Sequence, residues 1–193
     1  MLWVSRRDAR LYKWTPQDGL SDEIHIYRSG QSYRAEDTWG NFCFTEDGKT
    51  LYLIHKWGFG WVTGNAPGVF KTGYDPVSHN LASRAFDLVA GSDWGCKEGT
   101  GSEAQFSAPS QGAVDSEGNL YVVVENSNNV RKIDLTGYAS FYAGGSDDSM
   151  RGYVDGEPLK ARFNFLSGIT FGDEGTMYIA DKNNHRIRAI WRE

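Results

Sequence analysis

The feature that most constrains the fold of this 193-residue chain is an internal repeat with a constant spacing. The segment Phe106–Ile133 aligns without a gap on Phe163–Ile190. The identical positions include Gly118 and Gly175, Tyr121 and Tyr178, Asn126 and Asn183, and Arg131 and Arg188. A repeated segment of this length is one supersecondary unit that stacks on its neighbours, so the repeat constrains the fold before any single motif does.

Both copies have the pattern of short strands and not of helices. Their apolar residues alternate or run for four to five positions, and no apolar stripe of helical spacing and length occurs. A turn that ends in glycine separates the first two strands of each unit, and glycine supplies the positive φ that a hairpin turn needs. These turns are Glu46–Gly48, Ser116–Gly118 and Asp173–Gly175. Four-stranded antiparallel units repeated around an axis predict an all-β fold, the β-propeller.

The repeats divide the chain into four predicted blades within one propeller region, residues 1–193. A partial blade is expected at 1–37, full blades at 38–91 and 92–145, and a partial blade at 146–193. The first lacks an inner strand and the last stops before an outer strand, which predicts an incomplete ring. A closed ring of four blades is the alternative, and pairing between the first and last strands would establish it.

The charge and composition of the chain disfavour some classes of binding partner. The formal net charge of −5 disfavours nucleic acid, because phosphate binding usually needs a basic surface. No apolar run approaches the length of a transmembrane segment. We expect no signal peptide at the start of this sequence, since Met1 runs directly into a strand-like segment.

The two cysteines leave the redox compartment undecided. Cys43 stands in a predicted strand, at the repeat position of Ala113 and Thr170, which favours a small core residue. A disulfide between Cys43 and Cys96 is the alternative, because pairing cannot be deduced from sequence.

The repeat resembles a known family. GNLYVVVENSNNVRKI (118–133) and GTMYIADKNNHRIRAI (175–190) are similar to NHL repeats, whose pattern is roughly PxGIAVDxxGNLYVADxxNHRIRKI. Leu166 replaces the proline, and Val124 stands where the last repeat has Asp181. The linker AGGSDDSMRGYVDGEPLKARF (143–163) narrows the likeness to the NHL propellers of Bacteroidetes surface lipoproteins that also carry a TIG domain.

That resemblance implies a function, a location and a larger protein. The family members are auxiliary glycan-binding proteins on the extracellular face of the outer membrane, and their propellers usually have six blades. By the same resemblance, this chain is the C-terminal part of such a propeller. We therefore expect an N-terminal portion of the same protein to supply the missing strand and complete the ring.

Long connections indicate where a ligand would bind. The segments Lys56–Gly68, Ser92–Gln105 and Ser146–Lys160 interrupt the repeat, and the strand order places all three on one face. Insertions concentrated on one face of a repeat scaffold commonly mark its binding face. Flat aromatic rings stack on sugar faces, and charged groups bond sugar hydroxyls. The resulting ligand-binding candidates are Trp57, Trp61, Trp94, Tyr153, Asp93, Arg151 and Asp155.

Packing is the competing interpretation for these aromatic residues, because Trp57 and Trp61 could fold onto each other and hold their loop. The Asn-rich connections at 126–129 and 183–185 favour turns, and Arg131 and Arg188 favour a structural role because they recur.

Signals for catalysis are weak. The four histidines show no pair at metal-ligand spacing, and no GxSxG, HExxH or P-loop motif occurs. We therefore predict a non-catalytic module that binds a glycan and uses no cofactor or metal. A protein-interaction scaffold is the alternative, and a metal-dependent lyase or hydrolase with a site on the propeller axis is a third.

Overall fold

The computed structural model describes residues 2–6, 10–15, 19–20, 24–25, 27–28, 39–56, 67–78, 80–83, 85–146 and 151–191, with side chains from residue 41 onward except at 85. These residues form an almost purely β structure in four sheets. The only helical segments among them are three short 3₁₀ turns, Pro158–Lys160, Asp173–Gly175 and Lys182–Asn184.

The first two sheets come from the N-terminal half of the chain. The first contains β1 (Leu2–Arg6), β2 (Arg10–Thr15), β3 (Gly19–Leu20) and β4 (Ile24–His25), all antiparallel. The second contains β5 (Tyr27–Arg28), β6 (Trp39–Phe44), β7 (Thr50–His55), β8 (Gly68–Asp75), β9 (Asn80–Leu81) and β10 (Ala85–Ala90). Strands β6, β7, β8 and β10 lie side by side in that order, and β5 runs parallel to β10 at the edge.

The third and fourth sheets contain the two copies of the repeat. The third has β11 (Gly99–Thr100), β12 (Pro109–Val114), β13 (Leu120–Val124), β14 (Asn129–Ile133) and β15 (Tyr138–Ala143). The fourth has β16 (Leu166–Phe171), β17 (Met177–Asp181) and β18 (Arg186–Ile190). The linker strand β11 pairs with β15, so the third sheet has a fifth strand beyond the four that the repeat predicts.

The sheets stack through their apolar faces. Alternate residues of β13 point to opposite sides, as they do in any strand. Leu120 and Val122 enter a core shared with the second sheet, while Tyr121 and Val123 enter a core shared with the fourth. The inner strand β12 contacts both β6 and β16. This radial order of antiparallel sheets confirms the prediction of a partial β-propeller.

The strands at the two ends do not close a ring within the part of the chain that the structure describes. There, β1 pairs only with β2, and β18 pairs only with β17. No ladder between described strands joins the first and fourth sheets, as a hydrogen-bonded ring of four blades would require.

No disulfide joins Cys43 and Cys96. Cys43 lies in β6 and packs against the core between the second and third sheets, as a small core residue would. Burial raises the pKa of its thiol to about 12, because a thiolate is poorly solvated there.

None of the helices in the described residues is long and apolar enough to span a membrane.

Candidate functional site

The strand registers fix which connections share a face of the propeller. Val124, the last residue of β13, pairs with Pro109 at the start of β12 and with Asn129 at the start of β14. Val130 pairs with Ala143 at the end of β15. The turn at 125–128 and the linkers between sheets therefore emerge together. We call this side the loop-bearing face.

The short turns lie on the opposite face. The turn at 115–119 joins β12 to β13, and the turn at 134–137 joins β14 to β15. Their aspartates organise the backbone. The hydroxyl group of Thr136 donates a hydrogen bond of 2.6 Å to Asp134 and is the main reason that the pKa of Asp134 lies below its ordinary value. Thr45 lowers the pKa of Asp47 in the same way in the turn after β6.

The candidates Trp57 and Trp61 lie outside the described residues. The strands that flank their segment are described, and His55 pairs with Gly68 on the loop-bearing face. The next residue, Lys56, forms an ion pair with Glu125 of the third sheet, with Nζ and Oε2 2.6 Å apart. This contact ties the start of the segment to the neighbouring sheet.

The candidate Trp94 is exposed on a backbone that hydrogen bonds hold in place. Its side chain is 43% exposed. Its amide donates to the Oδ1 atom of Asp93 over 2.8 Å, and the backbone of Gly95 pairs with that of Phe106. Ser107 also donates its hydroxyl to the carbonyl group of Gly95. The indole is therefore presented from a fixed stretch of linker.

Arg151 occupies the same repeat position as Trp94 in the following unit. It is exposed and forms a backbone bridge to Phe163. The loop-bearing face thus presents an aromatic group on one linker and a cation at the equivalent place on the next. Asp93 is exposed beside Trp94, while its repeat counterpart, Met150, lies outside the described residues.

Tyr153 and Asp155 are brought together around Arg188. The guanidinium carbon of Arg188 lies 5.0 Å from the centre of the Tyr153 ring, and its Nη2 atom lies 2.5 Å from Oδ1 of Asp155. Arg188 is itself buried, while the side chain of Asp155 is 73% exposed. These two candidates are therefore engaged within the protein through their contacts with Arg188.

Sequence reasoning missed Asp181 as a partner of Arg188. The two residues form a buried ion pair of 2.9 Å, and Asp181 also accepts hydrogen bonds from Asn184 and from the amide of Asn164. The available signal was a departure from the repeat, because Val124 stands at the corresponding position in the third sheet. A carboxylate in place of a buried valine indicates a new polar contact.

A cavity of about 400 Å³ opens beside β18, at the outer edge of the fourth sheet. We call it the β18 groove. Its walls combine apolar surface with the charges of Asp155 and Arg188. The other lining residues are Gly156, Pro158, Ala161, Phe163, Ala189, Ile190 and Trp191.

The Asn-rich turn at 125–128 has a structural role, as its sequence predicts. Asn128 is buried with a φ of 53°, and its Oδ1 atom accepts a 2.6 Å hydrogen bond from the amide of Phe165. Phe165 itself has a φ of 60°, a strained value for an aromatic residue. The side chain of Asn128, which belongs to the third sheet, thus stabilises the backbone at the start of the fourth sheet.

The described residues contain no cluster of three or more histidine, cysteine or acidic side chains that could hold a metal ion. His55 is buried beside Phe70, with ring centres 6.5 Å apart, and His185 is exposed in the turn before β18. The chemistry present at the loop-bearing face is stacking, hydrogen bonding and charge.

Solved structures with this fold include proteins from Bacteroides. An auxiliary nutrient binding protein from Bacteroides thetaiotaomicron VPI-5482 has a TM-score of 0.75 at 22% identity, over 97% of this chain and 44% of that one. An auxiliary nutrient binding protein from Bacteroides ovatus ATCC 8483 has a TM-score of 0.76 at 25% identity, over 99% and 45%. A periplasmic gluconolactonase from Pseudomonas aeruginosa has a TM-score of 0.56 at 11% identity, over 93% and 45%.

The chain spans less than half the length of each of these three structures. No protein-family model and no curated protein sequence matches it. The resemblance to NHL repeats and to TIG-bearing lipoproteins therefore stays a prediction. The structural similarities establish that the chain has the fold of part of a β-propeller.

Proposed function

We propose that this chain is part of a non-catalytic nutrient-binding propeller that captures a glycan on its loop-bearing face. The observation that carries the proposal is the exposed indole of Trp94, held on a hydrogen-bonded linker. An aromatic ring fixed in this way offers a large apolar surface at little cost in conformational entropy. Two structures similar to the chain are named auxiliary nutrient binding proteins, which supports a binding role.

The candidate residues divide into three roles in this proposal. Trp94 stacks on the C–H-rich face of a sugar ring, and we assign the same chemical role to Trp57 and Trp61. Asp93 and Arg151 bond hydroxyl groups at the edge of the platform, because carboxylates accept and guanidinium groups donate such bonds.

Tyr153 and Asp155 contribute through their exposed surfaces while they remain in contact with Arg188. We expect smaller losses of binding when either is replaced than when Trp94 is replaced.

The proposal places the protein at the outer face of the cell, as an outer-membrane lipoprotein whose further blades come from polypeptide beyond residues 1–193. Two observations support this location. The linker resembles the linkers of surface lipoproteins, and two similar structures are auxiliary nutrient binding proteins from Bacteroides. Membrane fractionation and surface proteolysis of cells producing the native protein test this location. Recovery only in the cytoplasmic fraction would contradict it.

Affinity electrophoresis of the chain through gels that contain individual polysaccharides tests the binding proposal. We expect retardation by at least one polysaccharide and reversal by its soluble oligosaccharides. The same sugars are incubated with the chain, with and without added divalent metal ions, and analysed for turnover. Turnover would favour an enzyme, and retention of no polysaccharide by folded protein would contradict the proposal.

A further inference from the structure

The loop-bearing face carries positive charges at the fourth sheet that the repeat itself does not require. Four cationic residues there occupy repeat positions that have no positive charge in the third sheet. They are Arg151, Arg162, Lys182 and Arg186, which we call the cationic cluster. Their counterparts, in the same order, are Trp94, Gln105, Glu125 and Asn129. Because the third sheet forms the same strands without these charges, the charges are not needed for the fold.

The two arginines of the linker keep hydrogen-bond donors available. Arg151 is exposed, and its side chain forms no hydrogen bond or ion pair with any described residue. The Nη1 atom of Arg162 donates to the carbonyl groups of Ala161 and Leu159, whereas its Nε and Nη2 atoms have no partner in the part of the chain that the structure describes. A guanidinium group is a planar fork of donors that fits a carboxylate or a similar oxyanion.

The backbone holds Arg151 beside Arg162. The amide of Gly152 donates to the carbonyl group of Phe163 over 3.0 Å, next to the bridge that Arg151 forms with the same residue. A Cβ atom at Gly152 would lie 3.3 Å from Cβ of Arg162. The side chain of Asn184 donates to the carbonyl group of Gly152 over 2.8 Å and so holds the turn after β17 against the linker. The linker and this turn therefore present their cations as one group.

Asn129 connects the cationic cluster to the linker that presents Trp94. Its buried side chain donates from Nδ2 to Sγ of Cys96 over 3.6 Å and to the carbonyl group of Gly145 over 3.3 Å. Cys96 lies two residues after Trp94, and a Cβ atom at Gly145 would lie 3.1 Å from Nη1 of Arg162. A continuous chain of neighbours thus joins the indole to the arginines, so an extended ligand can contact both.

The acidic side chains leave this positive charge largely uncompensated. Several on the loop-bearing face are paired with other cations, namely Glu125 with Lys56, Glu157 with Lys160, and Asp155 with Arg188. Asp93 and Glu103 are exposed, and both belong to the linker that presents Trp94. Other exposed acidic residues lie in the short turns of the opposite face, namely Glu46, Asp47, Glu117, Asp173 and Glu174. The net charge of −5 therefore coexists with a positive region at one end of the loop-bearing face.

We propose that the loop-bearing face binds an acidic glycan. Arg151 and Arg162 hold an oxyanion of the glycan, either a uronate carboxylate or a sulfate ester, while a sugar ring farther along the polymer stacks on Trp94. Asp93 lies at the Trp94 end and repels an anionic group there, so the ligand binds in one direction. This inference rests on the proposed function and names the class of glycan that the site takes.

Pairs of polysaccharides that differ in charge test the inference. Affinity electrophoresis compares polygalacturonate with its methyl ester, and dextran sulfate with dextran. We expect the charged member of at least one pair to retard the chain and its neutral match to have no effect. The retardation should weaken as salt is raised from 0.1 to 1 M, because the screening length falls from about 10 Å to about 3 Å. The two charged polymers distinguish a carboxylate from a sulfate.

Three glutamine variants locate the binding of the charge. Arg162→Gln introduces the residue that the third sheet has at this position, Gln105, and Arg151→Gln changes an exposed side chain. Each should weaken the affinity for the retarding polymer about fivefold or more, because a charge-assisted hydrogen bond is lost. Lys49→Gln removes one exposed charge from a short turn of the opposite face and should leave the affinity unchanged. Circular dichroism confirms that all three variants are folded.

Three outcomes would overturn the inference. They are retardation by neutral polysaccharides alone, an equal loss for Arg151→Gln and Lys49→Gln, and tighter binding of a single-stranded RNA than of either acidic polysaccharide. The first outcome leaves the proposed capture of a glycan intact and removes only the acidic class. Retention of no polysaccharide, charged or neutral, by folded protein would contradict both proposals.

Discussion

Arg188 and Asp181 form a buried ion pair in which Nη1 lies 2.9 Å from Oδ2. The carboxylate of Asp181 is fully buried. It also accepts hydrogen bonds from the side chain of Asn184 and from the amide of Asn164. This pair therefore connects β17, β18 and the entry to β16. The third sheet has no equivalent pair, since Val124 stands at the position of Asp181.

Replacing Asp181 by valine is expected to lower the free energy of unfolding by about 3 kcal/mol. Valine matches the third sheet, but it leaves Arg188 buried without its enclosed counter-ion, and removing one partner of a buried pair is costly. Urea denaturation followed by circular dichroism measures the change.

The exposed pair of Glu157 and Lys160 serves as the control for this variant. Replacing Lys160 by alanine should change the free energy of unfolding by less than about 1 kcal/mol, because solvent screens a surface pair. A similar change for Asp181→Val and Lys160→Ala would show that the buried pair contributes little.

Two residues at one repeat position are expected to respond differently to the same polar replacement. Val130 is fully buried between the third and fourth sheets, whereas Ile187 is 70% exposed on the far side of the fourth. Val130→Thr should cost about 1–3 kcal/mol because it buries a hydroxyl group, and Ile187→Thr should cost less than about 0.5 kcal/mol. Thermal unfolding of both variants measures the difference. Equal effects would mean that another surface covers Ile187 in the isolated chain.

Cys43 is expected to resist alkylation in the folded protein. Its pKa of about 12 leaves only about one thiol in ten thousand ionised at pH 8, and the thiolate is the nucleophile. Mass spectrometry after treatment with iodoacetamide should find Cys43 unmodified in native protein and modified in urea. The native rate should rise with pH, since each unit brings about ten times more thiolate. Rapid native labelling at pH 8 would show that the thiol is accessible.

The turn at Asp134 is expected to lose its stabilising effect in acid. The pKa of this carboxyl is lowered, chiefly by Thr136, so its contribution is present above the ordinary value of 3.8 and disappears as the pH falls through the lower native pKa. Asp134→Ala should cost only about 0.5 kcal/mol at pH 7, because the group is well solvated. Urea denaturation should give a lower free energy of unfolding for Asp134→Ala than for the unsubstituted protein at pH 7, and equal values for the two at pH 2. A cost that persists unchanged at pH 2 would contradict a role for the ionised carboxylate.

Much of the fold could be predicted because the repeat encodes it. The constant spacing places Arg131 and Arg188 at equivalent positions, and the structure gives them equivalent inner partners. The loop-bearing face also follows from sequence, since antiparallel strands force alternate connections to opposite sides. The linker strand β11 was not predicted, because Gly99 and Thr100 carry no recognisable strand pattern.

The candidate site could be predicted only in part. Sequence correctly placed Trp94 in a linker, but the hydrogen bonds that hold its backbone depend on Phe106 and Ser107 of the next strand entry. The contacts of Tyr153 and Asp155 with Arg188 join residues far apart in the chain, so composition and local pattern do not reveal them.

The most direct test of glycan capture on the loop-bearing face compares two aromatic residues of similar exposure on opposite faces. Trp94 is 43% exposed on the loop-bearing face, and Tyr138 is 41% exposed beside the short turns. Isothermal titration calorimetry with a polysaccharide that retards the chain measures the affinity of each alanine variant. We predict a loss of about tenfold or more for Trp94→Ala, since one stacked aromatic ring contributes at least that much, and no change for Tyr138→Ala. Unchanged affinity for folded Trp94→Ala, or an equal loss for both variants, would contradict the account.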